Sequence, residues 1–289
     1  MLIFLVLLSG KQYVSAQTTV DPDGPPLTPP PEERVFYMLE YGMNMGFYAA
    51  NRGTANYYNG SREFGLSHMI QNQYYYNEIR QELGYDFFLH GLPGSMKYTP
   101  NMTVGFFGSL HFSEKSALIG EFNYIRLRIQ DVFTLELDRF GSVQGENIIA
   151  FPISGSEERI DLRLGYQHTW MSENSFIHPF FEAGIAFTDT EVKENLVRIY
   201  NFQYNIHRPV EGTTGIPHYR DRDYGMGLGA YATLGLKMDV NVFFRFVVGY
   251  SPQYSRINLG DNDKFLLNHS IFVRLHLNGL FQQQGYAAY

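Results

Sequence analysis

The sequence predicts an all-β chain, a transmembrane antiparallel up-and-down β-barrel of about eight strands with long extracellular loops. Three observations predict it. From residue 101 onward, stretch after stretch has an apolar residue at every second position, and side chains that alternate faces mark a strand. The opposite face of the same stretches carries Arg, Asp, Glu and Lys in mid-strand. The connectors alternate between very short turns and long loops, as they do in bacterial membrane barrels. Beyond the first residues no run of about 18 apolar residues occurs, which excludes a spanning helix.

The elements follow in order. Residues 1–16 open on the apolar run MLIFLVLL and reach the small residues Val14, Ser15 and Ala16, a pattern that predicts a signal peptide cleaved before Gln17. Residues 17–35 are acidic and Pro-rich, which predicts an extended periplasmic linker. The barrel domain is placed at 36–281. Its first strand runs over about 37–49, with Leu39, Tyr41, Met43, Met45 and Phe47 toward lipid and Glu40 inward. Residues 50–99 form a long extracellular insert, part of it helical: the stretch from Leu66 to Leu83 reads as a helix stopped by Gly84.

Strand two is expected at about 101–113 and strand three at about 117–136. In strand three Leu118, Phe122 and Tyr124 face out. A β-bulge near Tyr124 and Ile125 would then turn Ile125, Leu127 and Ile129 outward, keeping Glu121, Arg126 and Arg128 inside. A long connector is expected over 138–156, then strand four at about 157–171 and strand five at about 176–192. Pro179, unable to donate to a ladder, belongs near the turn that precedes it. Residues 193–222 read as a third long loop. Strands six, seven and eight follow at about 223–238, 242–256 and 265–277, and residues 282–289 are a short tail. With the N-terminus periplasmic, every long connector lies outside the cell and every short turn inside.

Composition agrees with this reading and narrows it. The chain has 289 residues, of which 22 are Tyr, 24 Phe and one Trp, a richness suited to aromatic girdles at two membrane interfaces. Trp170, Tyr166, Tyr250 and Tyr254 are the interfacial candidates. Cysteine is absent, and a closed barrel needs no disulfides because every strand is paired. The net charge of −7 disfavours nucleic acid, which requires a concentrated basic surface.

On these strands and connectors the chain resembles eight-stranded outer-membrane barrels of the OmpA/OmpX-like type. The Ala16–Gln17 junction and Tyr-rich strands resemble those of Bacteroidota envelope proteins. The resemblance implies a multi-pass protein of the cell outer membrane. The ending departs from the family's commonest form, because the last strand is not followed at once by a terminal Phe; Phe281 is the nearest, with a tail after it.

The expected lumen collects Glu40, Glu121, Asp161 and Glu182 with Arg126, Arg128, Arg159, Arg163, Lys237, Arg245 and Arg274. An eight-stranded barrel is barely wide enough for its own side chains, so these charges are expected to pair into a plug. His111, His178 and His276 are read as hydrogen-bonded lumen residues in preference to a zinc site, so no metal is expected. Asp221–Asp223 and Asp261–Asp263 each bring carboxylates together, but the second run lacks the Gly and distal Glu of a calcium loop, and both are read as turn residues. His269 and Ser270 are neighbours on one strand and point to opposite faces, so they cannot cooperate.

No catalytic residues and no cofactor are expected. The function expected is a non-enzymatic structural, scaffold or accessory subunit of a larger envelope complex in secretion, assembly or surface display. Its expected partners are outer-membrane lipids and other envelope proteins, met through 50–99, 193–222 or the Pro-rich arm. A rim enzyme or ligand binder acting on lipid or glycan, and a small transport channel, are the alternatives.

Overall fold

The computed structural model describes residues 38–62, 65–139, 147–171, 175–206, 224–240, 244–259 and 264–277. The expected signal peptide, Pro-rich linker and tail fall outside them, as do Asp221–Asp223, Asp261–Asp263 and most of the 193–222 loop.

In chain order the elements are β1 (Met38–Ala49), α1 (Arg52–Ala55), α2 (Leu66–Gln71), α3 (Gln73–Leu83), β2 (Phe87–Gly91), β3 (Tyr98–Thr99), β4 (Asn101–Ser113) and β5 (Ser116–Leu137). They continue as β6 (Ile148–Thr169), β7 (Ile177–Ile199), β8 (Phe202–Asn205), β9 (Tyr224–Asp239), β10 (Phe244–Ile257) and β11 (Phe265–Leu277). Eight of these, β1, β4, β5, β6, β7, β9, β10 and β11, pair antiparallel in sequence order. The ring closes where β1 meets β4 on one side and β11 on the other, with Met45 opposite Val104 and Val273. Closure leaves no free edge among the spanning strands, the condition for backbone to cross a membrane.

The outer wall has a band without charge. On β1 it is Leu39, Met43, Met45 and Phe47; on β6 it is Ile160, Leu162, Leu164 and Tyr166; on β9 it is Met226, Leu228 and Leu234, all exposed. On β6 the outward-facing positions from Ile160 to His168 carry no carboxylate, lysine or arginine, a length that matches the roughly 9–11 residues a tilted strand needs to cross the hydrocarbon.

Strands β5, β6 and β7 are 22, 22 and 23 residues long, so about half of each stands beyond the band. Three expectations are corrected here. The stretch 148–156 is strand, not connector, and β7 runs to Ile199 and turns into β8. The phase slip in the third spanning strand is also absent. The β5–β6 register is continuous from Ser116–His168 to Glu136–Ile148, with no bulge. Ile125, Leu127 and Ile129 are buried inside, and Arg126 and Arg128 are exposed on the outer wall.

The physical reason is that the surroundings invert while the backbone keeps its alternation. Within the bilayer the outer face meets lipid and the inner face a polar lumen. Above it the outer face meets water and the inner face a second, apolar core. A register shift does occur in β7, between the pairs Ser156–Glu194 and Glu157–Val192, leaving Lys193 as the extra residue.

That second core is built by the 50–99 insert. Tyr57, Tyr58, Leu66, Met69, Ile79, Leu83 and Met96 pack with Ile129, Phe133 and Leu135 of β5, Phe151 and Ile153 of β6, and Val192, Val197 and Ile199 of β7. The expected single helix is two, because Asn72 interrupts it. Asn72 adopts an extended backbone, ψ 119°, and its side chain accepts from Tyr74 N at 3.0 Å, so it ends α2 and caps α3. Gly84 closes α3 in the left-handed region, φ 74°. Short strands β2 and β3 extend the wall beside β5.

Candidate functional site

Among the described residues, chemistry-bearing side chains are concentrated in the lumen, which fills in layers. Nearest the short turns, the Glu40 carboxylate on β1 gathers three neighbours. Arg245 Nη1 lies at 2.9 Å, His276 Nδ1 at 3.0 Å and His111 Nε2 at 3.1 Å. Arg245 also holds Asp239, which receives His178 Nε2 at 3.5 Å. The three histidines therefore divide between two carboxylates. Among the described residues no group of His, Asp and Glu is arranged to hold a metal. Ser109 Oγ sits 3.4 Å from the same His111 nitrogen that faces Glu40. A base that relays a proton needs its two ring nitrogens on two partners, so this trio is structural.

The middle layer centres on Arg274, which is fully buried. It bridges Glu121 of β5 and Glu182 of β7, the second at 2.9 Å, and stacks over the Phe272 ring at 4.3 Å. Glu182 takes further hydrogen bonds from the Tyr231 hydroxyl at 2.8 Å and Gln167 at 3.3 Å. Lys237 Nζ donates to Gln167 Oε1 at 2.5 Å. One step up, Arg163 donates to Asp161 at 2.6 Å, Gln253 at 2.8 Å and Ser251 at 3.2 Å. Thr188 and Gln253 complete Asp161 at 2.9 and 3.0 Å. Charges taken out of water cost several kcal/mol each unless paired and hydrogen-bonded, and this tight partnering is what that cost demands.

The top layer joins the spanning wall to the insert. Arg159 Nε meets Glu157 at 2.7 Å, and both side chains are fully buried. Arg159 also donates to Thr54 at 3.2 Å, Tyr98 at 3.3 Å and Tyr48 at 3.4 Å. The hydroxyls of Tyr58 and Tyr98 donate to Glu157 at 2.7 and 3.1 Å. Burial, reinforced by the negative charge of Glu157, pushes the Tyr58 hydroxyl well above its ordinary pKa. The Tyr58 ring lies flat on Gly155, where a Cβ would come within 2.2 Å of it. The insert is thereby stitched across the barrel mouth.

Of the sequence-predicted lumen residues, Glu40, Glu121, Arg159, Asp161, Arg163, Glu182, Lys237, Arg245 and Arg274 point inward, and Arg126 and Arg128 point outward. Glu157 and its insert partners escaped the sequence reading because Glu157 stood at the supposed edge of a loop. Its parity with Arg159, Asp161 and Arg163 is the signal that would have found it. Trp170, Tyr166, Tyr250 and Tyr254 all lie exposed on the outer wall. Trp170 meets the His168 ring edge-on, and Tyr250 bonds His269 Nδ1 at 2.7 Å. A gap of about 10 Å³ beside Asn44, Glu121, Asn123 and Arg163 has room for about one water.

Closed pairing, a charge-free outer band and a polar interior together define a membrane-spanning β-barrel of the outer-membrane type. No family model matches the chain, and no curated protein matches it in sequence. Solved structures do share its outline. Neisserial surface protein A is 6% identical, with a TM-score of 0.45 over 84% of this chain and 99% of that one. The attachment invasion locus protein Ail of Yersinia pestis, in complex with the heparin analogue sucrose octasulfate, is 10% identical, with a TM-score of 0.35 over 83% and 99%. The outer membrane protein OprG of Pseudomonas aeruginosa is 10% identical, with a TM-score of 0.36 over 84% and 96%.

Proposed function

We propose that this barrel is a non-enzymatic scaffold or accessory subunit of a larger envelope assembly, anchored in the outer membrane with the insert facing outward. The observation that carries the reading is the sealed lumen. Paired charges fill it from Glu40 to Arg159, and the insert packs over the mouth. A barrel filled this way has little use for its interior except stability, which leaves its outer surface to meet partners. The cap formed by the insert and the tops of β5 to β8 presents exposed apolar side chains beyond the charge-free band, among them Phe88 and Val132. Such positions on a water-facing surface favour a protein partner.

The test is extraction from native membranes in mild detergent followed by sizing. The wild-type protein should migrate in an assembly well above the lone barrel. The variant Phe88→Glu with Val132→Glu should be released from it as a lone, folded barrel. Wild-type extraction as the lone barrel would contradict the reading. Loss of an envelope-lipid modification on deleting the protein would favour the enzymatic alternative.

A further inference from the structure

The outward placement of Arg126 and Arg128 puts two cations where lipid headgroups begin. On β5 the apolar outer run of the membrane band ends at Tyr124, and the next two outward positions are Arg126 and Arg128. Both are exposed; Arg126 lies within electrostatic reach of the facing Glu158 carboxylate, and among the described residues neither arginine makes a salt bridge or side-chain hydrogen bond. They stand two residues apart on one face, about 7 Å along the strand, so both guanidinium groups can reach a single anion. Across the strand pairs, Arg128 faces Thr99 of β3 on one side and Ser156 of β6 on the other. Lys97, also exposed, precedes this β3 segment.

The nearby acids are already engaged or lie to the other side. Glu158, opposite Arg126, is held by Lys193 at 3.1 Å, and Glu191 by the same amine at 2.6 Å. Glu194 lies beyond them on β7, opposite Ser156. Toward β3 and β4 the described neighbours of Arg128 are Thr99 and Lys97, with no carboxylate beside them. Directly below it the wall is apolar: Met102, Val104, Phe106 and Phe122 are all exposed.

We propose that this is a binding site for a phosphate-bearing membrane lipid. Its phosphate would sit on Arg126 and Arg128, with Lys97 beside them. Its acyl chains would lie on the Met102–Phe122 wall. Guanidinium is the side-chain group best matched to phosphate oxygens, and a free anion would have no use for the greasy wall beneath.

The test is native mass spectrometry of the refolded full chain in a neutral detergent. It is titrated with phosphatidic acid, with diacylglycerol of the same chains, and with inorganic phosphate. Phosphatidic acid should be retained by the wild type, and the R126A/R128A variant should bind it about tenfold more weakly. Arg198→Ala, which removes another exposed arginine of the cap, should leave retention unchanged. Diacylglycerol and inorganic phosphate should not distinguish the wild type from the double variant. Equal retention of phosphatidic acid by the double variant would overturn the site. So would diacylglycerol matching phosphatidic acid, and inorganic phosphate matching it would overturn the lipid assignment in favour of a free anion. Should the double variant fail to refold, Arg128→Gln alone carries the same comparison.

Discussion

At the scale of single residues, the account rests on which way a charge points. Arg274 is buried between Glu121 and Glu182, whereas Arg128, a residue of the same chemistry, is exposed on the outer wall. Replacing Glu182 with Ala should strand much of the Arg274 charge and leave the Tyr231 hydroxyl without its acceptor. The expected loss is about 3 kcal/mol of unfolding free energy, measured by urea titration of the barrel refolded into lipid vesicles. Arg128→Ala should change the same quantity by less than about 0.5 kcal/mol. Comparable losses in the two variants would mean the strand phase beyond Tyr124 is wrong. Val248, exposed in the middle of β10's lipid face, gives the complementary check. Val248→Arg should cost about 2–4 kcal/mol in the same titration. An unchanged midpoint would place that face away from lipid.

At the scale of elements, the latch between insert and wall is held by neutral tyrosine hydroxyls donating to Glu157. The folded pKa of Tyr58 is raised above its ordinary value of about 10. The sign follows. The proton on Tyr58 supports the fold fully below the unfolded pKa, and that support is lost as pH rises from about 10 toward the folded value. Alkali should therefore unseat the insert, while mild acid should not act through this group. The chain has no cysteine, so Met96→Cys, buried in the cap, can report on it. Relative to an exposed Gly94→Cys control, its labelling should stay low to about pH 9 and rise above about pH 10. Tyr58→Phe combined with Tyr98→Phe, which removes both titrating hydroxyls on Glu157, should label more readily at neutral pH and lose that alkaline step. A ratio that stays flat across the range would contradict the latch.

The elements also show what the sequence made legible. The spanning strands β1, β4 and β11 were readable nearly to the residue because lipid outside and a polar lumen inside impose a strict alternation. The upper halves of β5, β6 and β7 were not. There the alternation persists with apolar and polar faces exchanged, so a reader following the greasy face takes the exchange for a bulge. Phe151 and Ile153 looked like loop residues for the same reason. The partner that buries them is the insert, far away in the chain, and nothing local announces it. The lumen network was legible as a set of charges. Its pairings, such as Arg245 with Glu40 at 205 residues' separation, were not.

At the scale of the whole molecule, the short turns and both ends of the ring gather at one end of the barrel, and the insert at the other. If the insert faces outward, Gly94→Cys, exposed in the insert, should react with an impermeant thiol reagent on whole cells and Lys115→Cys should not; the reverse would invert the orientation. The central claim is that the lumen is closed twice, by paired charges within the membrane and by the insert above it. The most direct measurement is single-channel recording after reconstitution of the full chain in planar bilayers. The account predicts no steady, porin-sized conductance. A stable conductance of that size would contradict the filled lumen and return transport as the function.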